Sequence, residues 1–309
     1  MPEVTEYAPG TPSWVDLASP DPDGSARFYG ALFGWDAAET GPVEETGGYR
    51  MLTLGGRNVA GLGPTQGEAQ PGMWTTYVST DDADAVAARV RDAGGRVMMD
   101  PFDVLGAGRM AVFVDTGGAF ISVWQPQTHH GADVVNDPGA FCWNELATRD
   151  IDDAKRFYEA VFGWKGETNA YGDTSYTEWK LGGRTIGGMI QMNEQWPADV
   201  PPHWMVYFAV EDVDASAAQA QELGGKVAVP PTDTPAGRFA VLNDPHGAVF
   251  SIITLAARPD EQAQGATEAE AQPREARAQP REGEAQARDG QTEQAAEERP
   301  PDQQQQPAE

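Results

Sequence analysis

Apolar and polar side chains alternate along this chain in two rhythms, and the order of the rhythms recurs. Residues 13–18 switch sides at every position, which predicts a strand. From Asp21 to Phe33 the apolar positions Phe28, Leu32 and Phe33 follow a helical spacing, and Gly34 supplies a stop. Strands are then predicted at 35–39, 49–54 and 58–62, separated by glycine-rich turns. Residues 74–124 give the same order: a strand, a helix over 82–93 closed by Gly94-Gly95, and three more strands. Strand-helix-strand-strand-strand is therefore the unit.

The unit pair itself recurs. Trp14 to Asp21 aligns with Trp143 to Asp150, and Arg27-Phe28-Tyr29 with Arg156-Phe157-Tyr158, at an offset of 129 residues. The glycine pair after the second helix, Gly94-Gly95, returns as Gly224-Gly225, and Asp115-Thr-Gly-Gly as Asp244-Pro-His-Gly. The chain thus reads as α+β, four βαβββ modules in two tandem domains, 11–127 and 139–256, joined by a polar linker at about 128–138. A four-stranded module leaves one sheet face bare, and two modules can curve round a shared cavity to cover it.

Composition changes the picture at one end. From residue 257 to 309 there is no Leu, Ile, Val, Met, Phe, Tyr, Trp or Cys, so nothing offsets the roughly 1–2 kcal/mol per residue cost of ordering backbone, and a disordered tail is expected. That tail holds 13 acids and six arginines, leaving about −20 of the formal charge of −27 on the body. A body this acidic argues against nucleic acid as a partner. No apolar run approaches a membrane span, and the N-terminus lacks the pattern of a signal peptide. The single cysteine, Cys142, fits a reducing cytoplasm and reads as a packed thiol.

Phe-Tyr followed by Phe-Gly-Trp after the first strand, Gly-Gly after the second helix, and Asp-Pro-x-Gly before the last strand resemble the vicinal oxygen chelate (VOC) superfamily. That superfamily includes glyoxalase I, extradiol dioxygenases and bleomycin-resistance proteins. The likeness covers about 11–255, all four modules, and extends to tandem actinobacterial glyoxalase-like proteins of the "hydroxylase" type. The resemblance implies a divalent metal held by His, Gln or Glu on the first and last strands of paired modules. Counting onto this chain places Trp14, Trp143, Thr75, Met205, Ser122 and Ser251 there, with Val59-Ala-Gly and Ile186-Gly-Gly in the remaining strands. None is a ligand for a hard divalent ion, so no metal and no other cofactor is expected.

If Trp14 faces inward as the family ligand does, alternation sends Asp16 inward too, and likewise Trp143 with Glu145. Thr75, Tyr77 and Ser79, then His203, Met205 and Tyr207, then Phe120, Ser122 and Trp124, then Val249, Ser251 and Ile253 complete the inward rows. The result is an aromatic wall with one carboxylate per half, the make-up of a pocket for a flat or hydrophobic small molecule. Asp16 and Glu145 stand as general bases or hydrogen-bond anchors, or as buried partners of Arg57, Arg109, Arg184 or Arg238. His203 is a candidate acid or base at the cavity mouth; His129 and His130 are placed in the linker and His246 in a turn. Three readings stay open: a metal-independent acid–base enzyme of secondary metabolism, a sequestering resistance protein, and a metalloenzyme with ligands relocated to Asp16, Glu145 and His203. A monomer or a homodimer is compatible with all three.

Overall fold

A computed structural model of the chain describes residues 4–65, 70–171, 174–194 and 196–256. The first module comprises β1 (Pro12–Ser19), α1 (Pro22–Phe33), β2 (Asp36–Glu39), a short α2 (Val43–Thr46), β3 (Arg50–Leu54) and β4 (Arg57–Pro64). The second comprises β5 (Met73–Ser79), α3 (Ala83–Asp92), β6 (Arg96–Val104), β7 (Gly108–Val114) and β8 (Phe120–Pro126). The third contains β9 (Phe141–Thr148), α4 (Ile151–Phe162), β10 (Lys165–Tyr171), β11 (Thr174–Leu181) and β12 (Arg184–Gln191). The fourth contains β13 (His203–Ala209), α5 (Val213–Glu222), β14 (Lys226–Thr234), β15 (Gly237–Asn243) and β16 (Val249–Leu255). The α+β reading in four βαβββ modules holds, with α2 the one addition. The tail expected from residue 257 lies outside the described residues. No helix among them is long and apolar enough to cross a membrane.

The same local chemistry starts each principal helix. Asp21, Asp82, Asp150 and Asp212 are N-caps whose carboxylates accept from backbone amides of Gly24, Ala85, Asp153 and Ala215 at 2.8–3.0 Å. Gly34 and Gly163 end α1 and α4 in the left-handed region, at φ 75° and 74°, where a side chain would be strained.

Modules pair within each half. One eight-stranded sheet runs β2-β3-β4-β1-β5-β8-β7-β6 and the other β10-β11-β12-β9-β13-β16-β15-β14. The antiparallel joints β1–β5 and β9–β13 fuse the modules, while β1–β4 and β5–β8 run parallel. Val15, Leu17, Phe113, Ile121 and Val123 face the helices and are buried, whereas their neighbours in sequence face the concave side.

The helix layers cross between halves. Tyr29 on α1 donates to Asp244 of the fourth module (3.2 Å) and accepts from Trp74 Nε1 (3.0 Å). Tyr158 on α4 repeats this with Asp115 of the second module (2.9 Å) and Trp204 (2.8 Å). Phe33 lies 5.1 Å from Phe208, ring centre to ring centre, in the same shared core. The Phe-Tyr motif is core, as expected, and its tyrosines also bond one half to the other.

The connector, expected as a polar loop, is a packed strap. Ala132 and Val134 are buried, Ala132 N donates to Ser13 O, and Asp133 binds both backbone groups of Asn58. Tyr7 OH donates to Ala132 O at 2.8 Å, which ties the N-terminal segment on as well.

Candidate functional site

Strand register fixes which side chains share each concave face. Asp16 stands beside Gly61 on β4 and Thr75 on β5; Trp14 stands beside Tyr77, and Tyr77 beside Ser122. In the second half Glu145 stands beside Gly188 and Met205, Trp143 beside Tyr207, and Tyr207 beside Ser251. The inward rows read from alternation are therefore adjacent in space.

A tyrosine from the β2–β3 or β10–β11 hairpin then enters over a glycine. A Cβ on Gly61 would lie 1.8 Å from the Tyr49 hydroxyl, and one on Gly188 would lie 1.8 Å from the Tyr176 hydroxyl. Only glycine leaves that slot open. Through it Tyr49 OH reaches Asp16 Oδ2 at 3.4 Å and accepts from Trp14 Nε1 at 3.1 Å, while Tyr77 OH donates to the same oxygen at 2.8 Å. In the second half Tyr207 OH donates to Glu145 Oε1 at 2.9 Å, and Trp143 Nε1 donates to Tyr176 OH at 2.9 Å. Tyr49 and Tyr176 have no place in the inward rows. Their equivalence, each 12 residues ahead of its glycine, was the available signal.

These contacts correct the ion-pair alternative. Arg109 pairs with Asp84 and Asp103, and Arg238 with Asp214 and Asp233, all on the exposed surface. Among the described residues no Lys, Arg or His forms a salt bridge with Asp16 or Glu145; phenols take that place. Burial pushes Asp16 up to about 6, with Tyr77, Tyr49 and Thr75 pulling the other way. Burial likewise raises Glu145, opposed by Tyr176 and Tyr207. Burial and the adjoining carboxylate hold Tyr49, Tyr77 and Tyr207 well above the usual phenol range, so they remain donors. Both acids are surrounded by protein and yet retain a partly exposed surface.

From β5 to the β6 edge the first concave face is apolar and accessible. Met73, Met99, Phe102 and Phe120 are 47, 38, 38 and 43 % exposed, too open for core packing. Trp14, Tyr77 and Trp124 are buried deeper, as are Met205 and Tyr207 on the second half's sheet. Ser122 and Ser251 are fully buried, and their hydroxyls make no well-formed hydrogen bond. Clefts of about 270 and 330 Å³ lie elsewhere, one against Arg27 and His246 and one against Arg89 and Phe162, and neither is lined by Asp16 or Glu145.

His129 does not stay in a solvated linker: its ring meets Trp14 edge-on at 4.5 Å, and its carbonyl accepts from Trp124 Nε1 at 2.7 Å. It closes one end of the first concave face, and burial lowers it to about 4. His130 bonds Val4 O at 2.8 Å within the strap. His203 opens β13 on the concave side and is partly exposed; its Nδ1 donates to Pro201 O at 2.9 Å. Trp196, which sequence reasoning passed over, stands 6.1 Å from His203, ring centre to ring centre. Burial pushes the Cys142 thiol up to about 12, the state of a packed thiol.

The site does not fit a hard divalent ion. The family ligand positions carry Trp14, Thr75, Ser122, Trp143, Met205 and Ser251. Among the described residues no three His, Cys, Asp or Glu side chains gather into a possible metal-binding group.

The family model described as "Glyoxalase/Bleomycin resistance protein/Dioxygenase superfamily" matches residues 11–123 and 133–252. "Putative glyoxylase CFP32" of Mycobacterium tuberculosis (strain CDC 1551 / Oshkosh) is 45 % identical over 259 residues, covering 82 % of this chain and 98 % of its own. "Anthracycline biosynthesis protein DnrV" of Streptomyces peucetius is 41 % identical over 278 residues, covering 85 % of this chain and all of its own (100 %). Among solved structures, the Mn(II)-bound glyoxalase from Novosphingobium aromaticivorans superposes with a TM-score of 0.57 at 18 % identity, covering 80 % of this chain and 82 % of that one. The 2,3-dioxygenase LapB from Pseudomonas sp. KL28 gives 0.56 at 14 %, covering 84 and 96 %; at these identities the likeness is one of fold.

Proposed function

The chain belongs to the glyoxalase/bleomycin resistance protein/dioxygenase superfamily, and from that membership we propose that it acts on a flat, largely apolar small molecule of secondary metabolism by acid–base chemistry. One site lies in each of two domains, delimited at 11–127 and 139–256, and a single chain completes both. The observation that carries this reading is a partly exposed carboxylate on the concave face of each sheet, held by tyrosines and paired with no described cation. Burial raises both carboxylates, Asp16 to about 6, which moves them toward the range in which a carboxyl group can both take and give a proton. The 41 % identical relative named for anthracycline biosynthesis supports an aromatic, polyketide-like substrate class. No step is routed through a metal, because the residues at the family's ligand positions do not suit one.

The exposed Met73, Phe102 and Phe120 favour a second reading, sequestration of such a molecule without turnover. One experiment separates the two. Polycyclic aromatic ketones and quinones are screened by thermal shift, and hits are incubated with native protein and with the variant Asp16→Asn, Glu145→Gln. The enzyme reading expects turnover to fall roughly 10²–10⁴-fold in the variant, with binding kept within about tenfold. Binding without turnover by the native protein establishes sequestration instead.

A further inference from the structure

The two concave faces differ at their open ends, and we infer that proton transfer is confined to the second, where His203 and Glu145 form an acid–base pair across a flat, enolisable ketone. This rests on the reading above and assigns its chemistry to one half.

The register supplies the pairing. On β13, His203 stands opposite Ala147 and Met205 opposite Glu145, so His203 is one inward step from the acid. Diagonal neighbours on one sheet face sit roughly 7–8 Å apart, enough for a planar molecule to lie between two reacting groups. In the first half the same place, opposite Ala18, holds Met73. A thioether cannot exchange a proton, and the first face's own imidazole, His129, packs edge-on against Trp14 and is lowered to about 4 by burial, too weak a base to pair with Asp16.

The protonation pattern is set by one hydrogen bond. A carbonyl only accepts, so the 2.9 Å contact with Pro201 O places the proton on Nδ1. Neutral His203 therefore carries its lone pair on Nε2, which makes no hydrogen bond among the described residues. Trp196 stands beside the imidazole, 6.1 Å away ring centre to ring centre. On the other side Glu145 is held by Tyr207 and Tyr176 and raised by burial, which favours its protonated, donating form.

The step balances without an oxidant or co-reactant. Nε2 takes a proton from the carbon next to the ketone; that C–H bond breaks and an N–H bond forms. The electron pair becomes the enol C=C bond, the carbonyl π electrons take the Glu145 proton as a new O–H bond, and a carboxylate remains. Return of the proton to carbon reverses each bond change and resets both residues.

The test uses the full chain and 2-tetralone, a bicyclic ketone with acidic C1 protons, in D₂O. Deuterium entry at C1 is followed by NMR and binding by tryptophan fluorescence. The native chain is expected to accelerate exchange. His203→Met, which installs the residue the first half already carries, is expected to reduce the acceleration about 100-fold or more while binding stays within threefold. Glu145→Gln should do the same. If His203→Met retains the acceleration, with Asp16 intact, the confinement to the second half is overturned. If 2-tetralone does not bind the native chain, the proposed aromatic-ketone reading itself fails.

Discussion

Replacing Asp16 by Asn removes a charge that folding disfavours, and the structure sets the size of the effect. The carboxyl rises from an ordinary 3.8 to about 6 on folding, chiefly through burial. Because the folded pKa lies above the unfolded one, the group stabilises the fold fully below about pH 4, and that contribution is lost as pH rises through about 6. The difference between 3.8 and about 6 corresponds to about 3 kcal/mol, an upper bound because Asp16 keeps some solvent contact. Asn presents a carbonyl oxygen to Tyr77 and Tyr49 in place of Oδ2, so the acceptor survives. At pH 8 Asp16→Asn should be more stable than the native chain by up to about 3 kcal/mol, or roughly 6–12 °C in melting temperature for a body of this size. Near pH 4 the two should converge. Urea titrations at several pH values between 4 and 8 measure the difference directly, and the acidity of the rest of the chain cancels in it. A variant no more stable than native at pH 8, or an offset that is the same at every pH, would refute burial as the cause.

Gly61→Ala should cost about 1–3 kcal/mol, because its Cβ would meet the Tyr49 hydroxyl at 1.8 Å. With Tyr49 displaced, Asp16 loses a contact that lowers it, so a carboxyl titration by NMR should find it above its native value. Tyr29→Phe strands Trp74 Nε1 and one Asp244 oxygen in the core and should cost about 1–3 kcal/mol in urea unfolding; Tyr158→Phe should match it. His129, lowered to about 4 by burial, acts with the opposite sign to Asp16: its contribution is whole above about pH 6.5 and is lost toward pH 4, by at most about 3 kcal/mol. His129→Gln should therefore flatten that acid limb of the stability profile, and an unchanged limb would remove His129 from it.

The fold was legible because duplication wrote the same period four times, and the inward rows were legible because strand alternation is rigid. Asp16, Thr75, Tyr77 and Ser122 fall side by side for that reason. The partners of the acids were not legible. Tyr49 approaches from two strands away through a gap that exists only because Gly61 lacks a side chain, and nothing periodic announces such a gap. Charge complementarity pointed to arginine, but Arg109 and Arg238 sit over aspartates on the far rim. The strap was missed on composition: small residues such as Gly131 and Ala132 look like a loop, and they are what lets the segment press against Ser13.

The crossed tyrosines also bear on how the chain is made. Synthesis proceeds from the N-terminus, yet Tyr29 precedes its acceptor Asp244 by 215 residues and finds part of its aromatic surroundings at Phe250. The first half cannot finish its own interior from its own residues. Its helix α1 must wait, incompletely covered, until the fourth module has left the ribosome. Gene duplication here has produced a polypeptide that completes neither copy before both exist.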